Sequence, residues 1–174
     1  MRRIEVRRHS VRDKPSEHLS ASGRKLAEEV GRGSGPFQIV VSGDATRAVE
    51  TAEAMGWSPS ARLAVWRDGG GVPWPLSFAE YRQAMDAVPA VGLQARRIRA
   101  EVVRLLGRLA DGEAALVATH GGFPELAAAS WVSPAEAEGL GPACRCMEGV
   151  NLEFTGGDFD SARDLRVPAD RTRL

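Results

Sequence analysis

Four short apolar runs along the chain predict buried β-strands. They cover roughly residues 3–8, 37–42, 114–119 and 147–154, and polar or glycine-rich segments bound each of them. Short apolar runs with such boundaries are typical of strands that lie inside a sheet. Segments with helical patterns separate the runs. This alternation predicts an α/β fold, a three-layer sandwich in which helices flank a mostly parallel central sheet.

Three segments carry the sequence signals of helices. The first begins after Ser20, a residue type that caps helix N-termini, and ends at Gly31. The second covers roughly residues 46–55. The third runs from about residue 89 to residue 110 and repeats apolar residues at the spacing of one helix face. Residues 69–75 are rich in glycine and proline and predict a loop, whereas the charged tail after Gly157 predicts an edge strand or coil.

Length and composition narrow the classes of protein that the chain can represent. Its 174 residues suit one domain over residues 1–174. Because 23 basic and 23 acidic residues cancel, we expect neither nucleic acid nor a membrane as a partner. No apolar stretch approaches the roughly 20 residues that span a bilayer, and the N-terminus leads directly into a strand, so we expect a cytoplasmic protein.

The two cysteines do not predict a cross-link or a metal site. Cys144 and Cys146 are too close in sequence for an ordinary stabilising disulfide. Two thiols alone cannot complete a structural zinc site. We therefore expect reduced and partly buried thiols.

Candidate chemistry lies at the ends of the predicted strands. Arg8 and His9 follow the first strand, Arg47 begins the helix after the second, and His120 follows the third. Ligands of parallel sheets bind beyond the carboxyl ends of the strands, so these four side chains can face one pocket. Imidazole and guanidinium groups without a carboxylate cluster favour a dianion such as a phosphoryl group. A zinc site built from His9, His18 and His120 would lack carboxylate or thiol support.

Several motifs, in order along the chain, resemble the histidine phosphatase superfamily, the phosphoglycerate-mutase-like enzymes. Arg8-His9-Ser10 is similar to the family's Arg-His-Gly at the end of the first strand. Residues 19–27 resemble its Leu-Thr-x-x-Gly-x-x-x-Ala, and residues 42–52 its Ser-x-x-x-Arg-Ala-x-x-Thr-Ala. Residues 119–122 resemble the segment of the second catalytic histidine, and residues 149–152 a late core strand. The resemblance spans most of the chain, whose compact size is similar to that of the family's phosphohistidine phosphatases.

The resemblance implies roles for individual residues. His9 would attack phosphorus and hold it as a phosphoramidate, because a neutral imidazole offers a lone pair near neutral pH. Arg8, Arg47 and His120 would bind the phosphoryl oxygens as charge develops on them. Ser10 stands where the family has glycine, so its hydroxyl is a further candidate for phosphate binding. No metal or other cofactor is implied, and water would finally release the phosphoryl group from His9.

The chain departs from the family at the residue that protonates the leaving group. Residues 62–70 resemble the family's Arg-Leu-x-Glu segment, but Val65 stands at the glutamate position. Loss of a general acid typically costs about 10²–10⁴-fold in rate. Asp68 is the nearest substitute in sequence, and Glu17 and Asp13 are alternatives. A leaving group better than an alkoxide, as in a phosphohistidine or an acyl phosphate, would need no acid.

Two functions of different classes remain open at this point. The first is a phosphatase that hydrolyses a phosphomonoester or phosphoramidate of a small molecule or a phosphoprotein. The alternative is a non-catalytic module that binds a phosphate ligand or phosphoprotein and has lost the acid at Val65. A mutase is less favoured because transfer back to substrate usually calls for a longer lid. The sequence leaves the substrate, the pathway and the oligomeric state open.

Overall fold

A six-stranded sheet forms the centre of the computed structural model, which describes residues 1–67 and 72–171. Its strands are β1 (Arg2–Arg8), β2 (Ile39–Ser42), β3 (Ala61–Arg62), β4 (Ala114–Thr119), β5 (Gly149–Thr155) and β6 (Asp158–Leu165). The α-helices are α1 (Ala21–Gly31), α2 (Thr46–Ala54), α3 (Phe78–Ala87), α4 (Pro89–Leu106), α5 (Phe123–Ala129) and α6 (Pro134–Gly139). Short 3-10 helices occupy Ala64–Trp66 and Ala169–Arg171.

The strand order brings the carboxyl ends of three strands together. The order across the sheet is β3-β2-β4-β1-β5-β6, in which β3, β2, β4 and β1 are parallel and β5 and β6 are antiparallel additions. In register, Arg8 of β1 pairs with Thr119 of β4, and Ser42 of β2 pairs with Ala118. The segments after these strands therefore begin at the same edge of the sheet.

Helices cover both faces of this sheet. On one face, Val41 and Val117 pack with apolar residues of α3, α4 and α5. On the other, Val40 and Leu116 pack with residues of α1 and α2. Neighbouring strand residues point to opposite faces, which explains why continuous apolar runs are buried here on both sides. The predicted α/β sandwich with a mostly parallel sheet is confirmed.

The helices reveal where the sequence interpretation was incomplete. Helices α1 and α2 lie where they were expected, and the tail after Gly157, predicted as an edge strand or coil, forms the edge strand β6. Helix α4 ends at Leu106, before the predicted residue 110. Helices α3, α5 and α6 were not predicted. Both α3 and α6 begin with a capping box, Ser77 with Glu80 and Ser133 with Glu136, so the sequence did contain their start signals.

Two expectations from composition can be compared with the structure. Cys144 and Cys146 are both buried and are not joined to each other by a disulfide. Within the part of the chain that the structure describes, no helix has the length and apolar character needed to cross a membrane.

Candidate active site

Arg8, His9, Arg47 and His120 line one cavity at the carboxyl edge of the parallel strands. The cavity has a volume of about 580 Å³, several times that of a phosphate group. Each of the four side chains is buried, with at most 7% of its surface exposed. The strand topology thus brings together the residues that the sequence placed at three different strand ends.

His9 is held as a neutral imidazole by its surroundings. Burial lowers its pKa to about 3, and the nearby His120, Arg8 and Arg47 act in the same direction, against the hydrogen bond to Ser10. Nδ1–H donates to the Ser10 carbonyl at 2.8 Å, while Nε2 accepts from Arg47 Nε–H at 3.2 Å. Both neighbours select the same tautomer, in which the lone pair is on Nε2. The His120 ring lies edge-on to His9, with the ring centroids 5.5 Å apart.

Arg8 is fixed by the two segments that border the cavity. Its Nη1 donates to the Cys144 carbonyl at 3.0 Å, and its guanidinium carbon lies 4.5 Å from the ring centroid of Trp74. Arg8 Nε is buried and has no hydrogen-bond partner within residues 1–67 and 72–171. The Cys144 contact and the Trp74 ring thus hold this planar guanidinium at the cavity.

Arg47 contacts a carboxylate that the sequence did not pair with it. Its Nη1 donates to Glu17, whose other oxygen accepts from Arg12 at 2.8 Å. The Glu17 side chain is half exposed, at 53%, so solvent and ligands can reach it. A phosphoryl group that binds Arg47 must therefore share the guanidinium with Glu17 or displace this carboxylate.

Close packing around His120 depends on two glycines. A Cβ on Gly43 would overlap the Trp66 carbonyl and lie 3.2 Å from His120 Nε2. A Cβ on Gly121 would overlap the indole of Trp74. Trp74 is 39% exposed and lines the cavity.

Several solved structures share this architecture. A phosphoserine phosphatase from Entamoeba histolytica, in complex with 3-phosphoglyceric acid, superposes with a TM-score of 0.68 at 14% identity, covering 97% of this chain and 98% of that one. The protein of open reading frame Rv3214 from Mycobacterium tuberculosis superposes with a TM-score of 0.64 at 20% identity, covering 95% of this chain and 96% of that one. A phosphoglycerate mutase from Bacillus anthracis str. Sterne superposes with a TM-score of 0.64 at 15% identity, covering 91% of this chain and 90% of that one. The chain therefore has the same fold as this phosphoserine phosphatase and this phosphoglycerate mutase. No protein-family model matches its sequence, and no curated protein does.

Within this fold, Ser10 differs from its expected role. Its hydroxyl donates to the Gly23 carbonyl at 2.7 Å, and its side chain is fully buried outside the cavity lining. The expected hydroxyl contact with phosphate is therefore not supported. Instead, Ser10 N–H donates to Thr51 Oγ1 at 2.9 Å, and Thr51 Oγ1–H donates to the Arg47 carbonyl at 2.7 Å. Thr51 thus joins the His9 segment to the helix that carries Arg47, a role that the threonine of the 42–52 motif could have signalled.

The candidate acids differ in their position relative to the cavity. Val65 lies in the 3-10 helix Ala64–Trp66, packs against the core and does not line the cavity. Asp68 lies outside the described residues, so its role stays a prediction. Asp13 lines the cavity, and Glu17 reaches Arg47. Both carboxylates of the loop after β1 are therefore at the site.

His18 does not join the other two histidines. Its Nδ1 lies 2.6 Å from Glu50 Oε1, and 65% of its side chain is exposed. It is not among the residues that line the cavity. The zinc site of three histidines considered from the sequence is therefore not formed in this arrangement.

Sequence reasoning missed Glu125, a fully buried carboxylate beside the site. Its oxygens accept from Gly122 N–H at 3.1 Å and from Cys144 N–H at 2.7 Å. Burial raises its pKa to about 7, although these hydrogen bonds and the Arg8 charge act to lower it. The signal was the position of Glu125 three residues after Gly122, where a capping-box carboxylate is expected.

Proposed function

We propose that the chain is a metal-independent phosphatase that hydrolyses a phosphomonoester or phosphoramidate through a covalent phosphohistidine on His9. The observation that carries the proposal is a neutral imidazole, with its lone pair on Nε2, in a cavity lined by Arg8, Arg47 and His120. Neutral imidazole is the nucleophilic form, and the arginines supply positive charge to the phosphoryl oxygens.

The proposed reaction has two steps. His9 Nε2 attacks phosphorus, so that a nitrogen–phosphorus bond forms while the bond to the leaving group breaks and that group takes up a proton. Arg47 Nε, now 3.2 Å from His9 Nε2, would turn to a phosphoryl oxygen, and the Arg8 guanidinium would donate to another. Water then attacks phosphorus, which releases inorganic phosphate and regenerates neutral His9.

The substrate class depends on the source of that proton. With Asp68 as the acid, an ordinary alkyl phosphate of a small molecule or a phosphoprotein is a substrate. Glu17 is the alternative with a contact to Arg47, and Asp13 follows as a carboxylate of the cavity lining. With no acid, only labile phosphates such as phosphohistidine or acyl phosphates would turn over.

The first experiment tests the nucleophile. His9→Ala is expected to abolish both turnover of p-nitrophenyl phosphate and the acid-labile phosphoenzyme trapped in a rapid quench. His18→Ala is the matched control, because this histidine is exposed outside the cavity. Undiminished turnover by folded His9→Ala would refute the mechanism.

The second experiment identifies the acid by comparing leaving groups. If Asp68 serves, Asp68→Asn slows hydrolysis of an alkyl phosphate by about 10²-fold or more and barely affects p-nitrophenyl phosphate, whose leaving group needs no proton. Glu17→Gln and Asp13→Asn are assayed in parallel. Equal effects on both substrates for every variant would contradict acid catalysis by these carboxylates.

Val65 also favours a second candidate function, a non-catalytic module that binds a phosphate ligand or phosphoprotein. This residue packs in the core at the position where the family has its acid. Binding of inorganic phosphate in calorimetry, without turnover of alkyl, aryl or phosphohistidine substrates, would support the module over the phosphatase.

A further inference from the structure

A single buried carboxylate connects the two sides of the candidate site. Glu125 Oε2 accepts from Gly122 N–H, two residues after His120, and Oε1 accepts from Cys144 N–H. The carbonyl of the same Cys144 accepts from Arg8 Nη1 at 3.0 Å. A continuous path of hydrogen bonds thus runs from the His120 segment through Glu125 to the Arg8 guanidinium.

We propose that Glu125 is a positioning residue that holds Arg8 and His120 in one arrangement for phosphoryl binding and transfer. Glu125 does not line the cavity, so it acts through the backbone of the two segments. The proposal rests on the phosphatase function proposed above. It extends that function to a residue outside the cavity that no motif of the family resemblance included.

The role needs both carboxylate oxygens as acceptors. The N–H groups of Gly122 and Cys144 each take one carboxylate oxygen of Glu125. A glutamine of the same size has one acceptor oxygen, and its NH₂ group would face the second donor. Glu125→Gln therefore releases either the His120 segment or the Arg8 segment while filling the same space.

A role of Glu125 through its charge alone predicts the opposite change in the anion affinity of Glu125→Gln from a positioning role, so the two roles can be distinguished. The charged and titratable groups that face it are Arg8 from β1, Tyr81 from α3 and the Cys144 thiol. Replacing the carboxylate with an amide removes a negative charge close to an anion site. If Glu125 acted only through its charge, anions would bind Glu125→Gln more tightly than the wild type.

The experiment combines sulfate binding with steady-state kinetics. Sulfate serves as the probe because its charge is constant across the assay range, and calorimetry measures its binding without turnover. For Glu125→Gln we expect sulfate affinity to fall several-fold and kcat for p-nitrophenyl phosphate to fall about 10- to 100-fold, the scale of small misplacements in active sites. Glu136→Gln is the matched control, because Glu136 holds the same capping-box position on exposed α6.

Each outcome has a separate meaning. Weaker sulfate binding with lower kcat in a folded variant supports positioning. Tighter sulfate binding, or a lower melting temperature with unchanged sulfate affinity and kcat, overturns it. If the wild type binds sulfate but turns over no substrate, the phosphatase proposal fails, while the sulfate comparison still tests Glu125.

A second measurement uses the wild-type chain in case Glu125→Gln does not fold. Protonation of Glu125 weakens one of its two oxygens as an acceptor for these N–H donors. In ¹⁵N NMR we expect the amide resonances of Gly122 and Cys144 to shift together, with a common midpoint near pH 7, and the Arg8 Nε–H resonance to shift with them. Amides that do not titrate, or that titrate with different midpoints, would overturn the proposed connection.

Discussion

His9 and Glu125 are expected to make opposite contributions to the pH dependence of stability. Burial lowers the pKa of His9 from 6.5 to about 3. Below pH 6.5 the unfolded chain therefore binds a proton at this residue that the folded chain does not. The contribution of His9 to the free energy of unfolding is therefore fully present above pH 6.5 and is lost as the pH falls towards 3. Between pH 7 and pH 5 this histidine alone should lower the free energy of unfolding by about 2 kcal/mol.

Glu125 has the reverse sign. Burial raises its pKa from 4.5 to about 7, so between these values the folded chain binds the proton and the unfolded chain does not. Its contribution to stability is greatest below pH 4.5 and is lost as the pH rises through 7. From pH 7 to pH 5 it should raise the free energy of unfolding by about 2 kcal/mol. In the wild type the two contributions nearly cancel.

Variants should separate the two titrations. Urea unfolding at pH 7 and pH 5 is measured for the wild type, His9→Asn, Glu125→Gln and the double variant. We expect Glu125→Gln to lose about 2 kcal/mol on acidification and His9→Asn to gain about 2 kcal/mol, both relative to the double variant. The double variant reports the pH dependence of all other groups.

Two results would refute this reasoning. If Glu125→Gln shows the same pH dependence as the double variant, His9 is not held neutral by burial. If His9→Asn shows the same pH dependence as the double variant, the pKa of Glu125 is not raised towards 7 in the folded protein. A change in the slope of the urea transition between the two pH values would instead indicate a change in the exposed surface.

Further predictions concern contacts around the cavity. Thr51→Val keeps the shape of the side chain but removes the acceptor of Ser10 N–H, so we expect a loss of about 1–3 kcal/mol in urea unfolding and a lower kcat. Gly121→Ala should displace the Trp74 indole and change its fluorescence and the KM for p-nitrophenyl phosphate; Gly139→Ala, whose Cβ meets no atom within 4 Å, should change neither. EDTA should leave turnover unchanged, because arginines carry the charge in the proposed reaction; a large loss would favour a metal-dependent mechanism.

The fold was predictable because its signals are local. Strands such as β4, with six consecutive buried residues, appear in the sequence as uninterrupted apolar runs. The parallel arrangement follows from the helices between them. The missed helices α5 and α6 have only seven and six residues, too few to display a clear helical period. For α3 and α6, capping chemistry was the better signal.

The residues of the candidate site that lie at strand ends could be predicted from the sequence. Arg8, His9 and His120 project from two adjacent strands, so topology alone brings them together. The contact between Glu17 and Arg47 depends instead on the path of the loop after β1, which no periodic pattern specifies. Trp74 lies over Arg8 because of the fold of a proline-rich segment, for which the sequence predicted a loop but not this contact.

Glu17 and Glu125 illustrate why local patterns predict ligand-binding residues better than the contacts that hold those residues in place. Glu17 is exposed and competes for an arginine that a phosphoryl group would bind, so its effect should depend on which ligand is present. Glu125 is buried and satisfies two backbone donors that are 22 residues apart in sequence, so its effect is independent of ligand. The capping-box pattern predicts only the nearer of these donors, Gly122. The contact with the second, Cys144, requires the folded arrangement in which β1 and β5 pair. The folded backbone thus decides whether a carboxylate at this site competes with substrate or supports its binding.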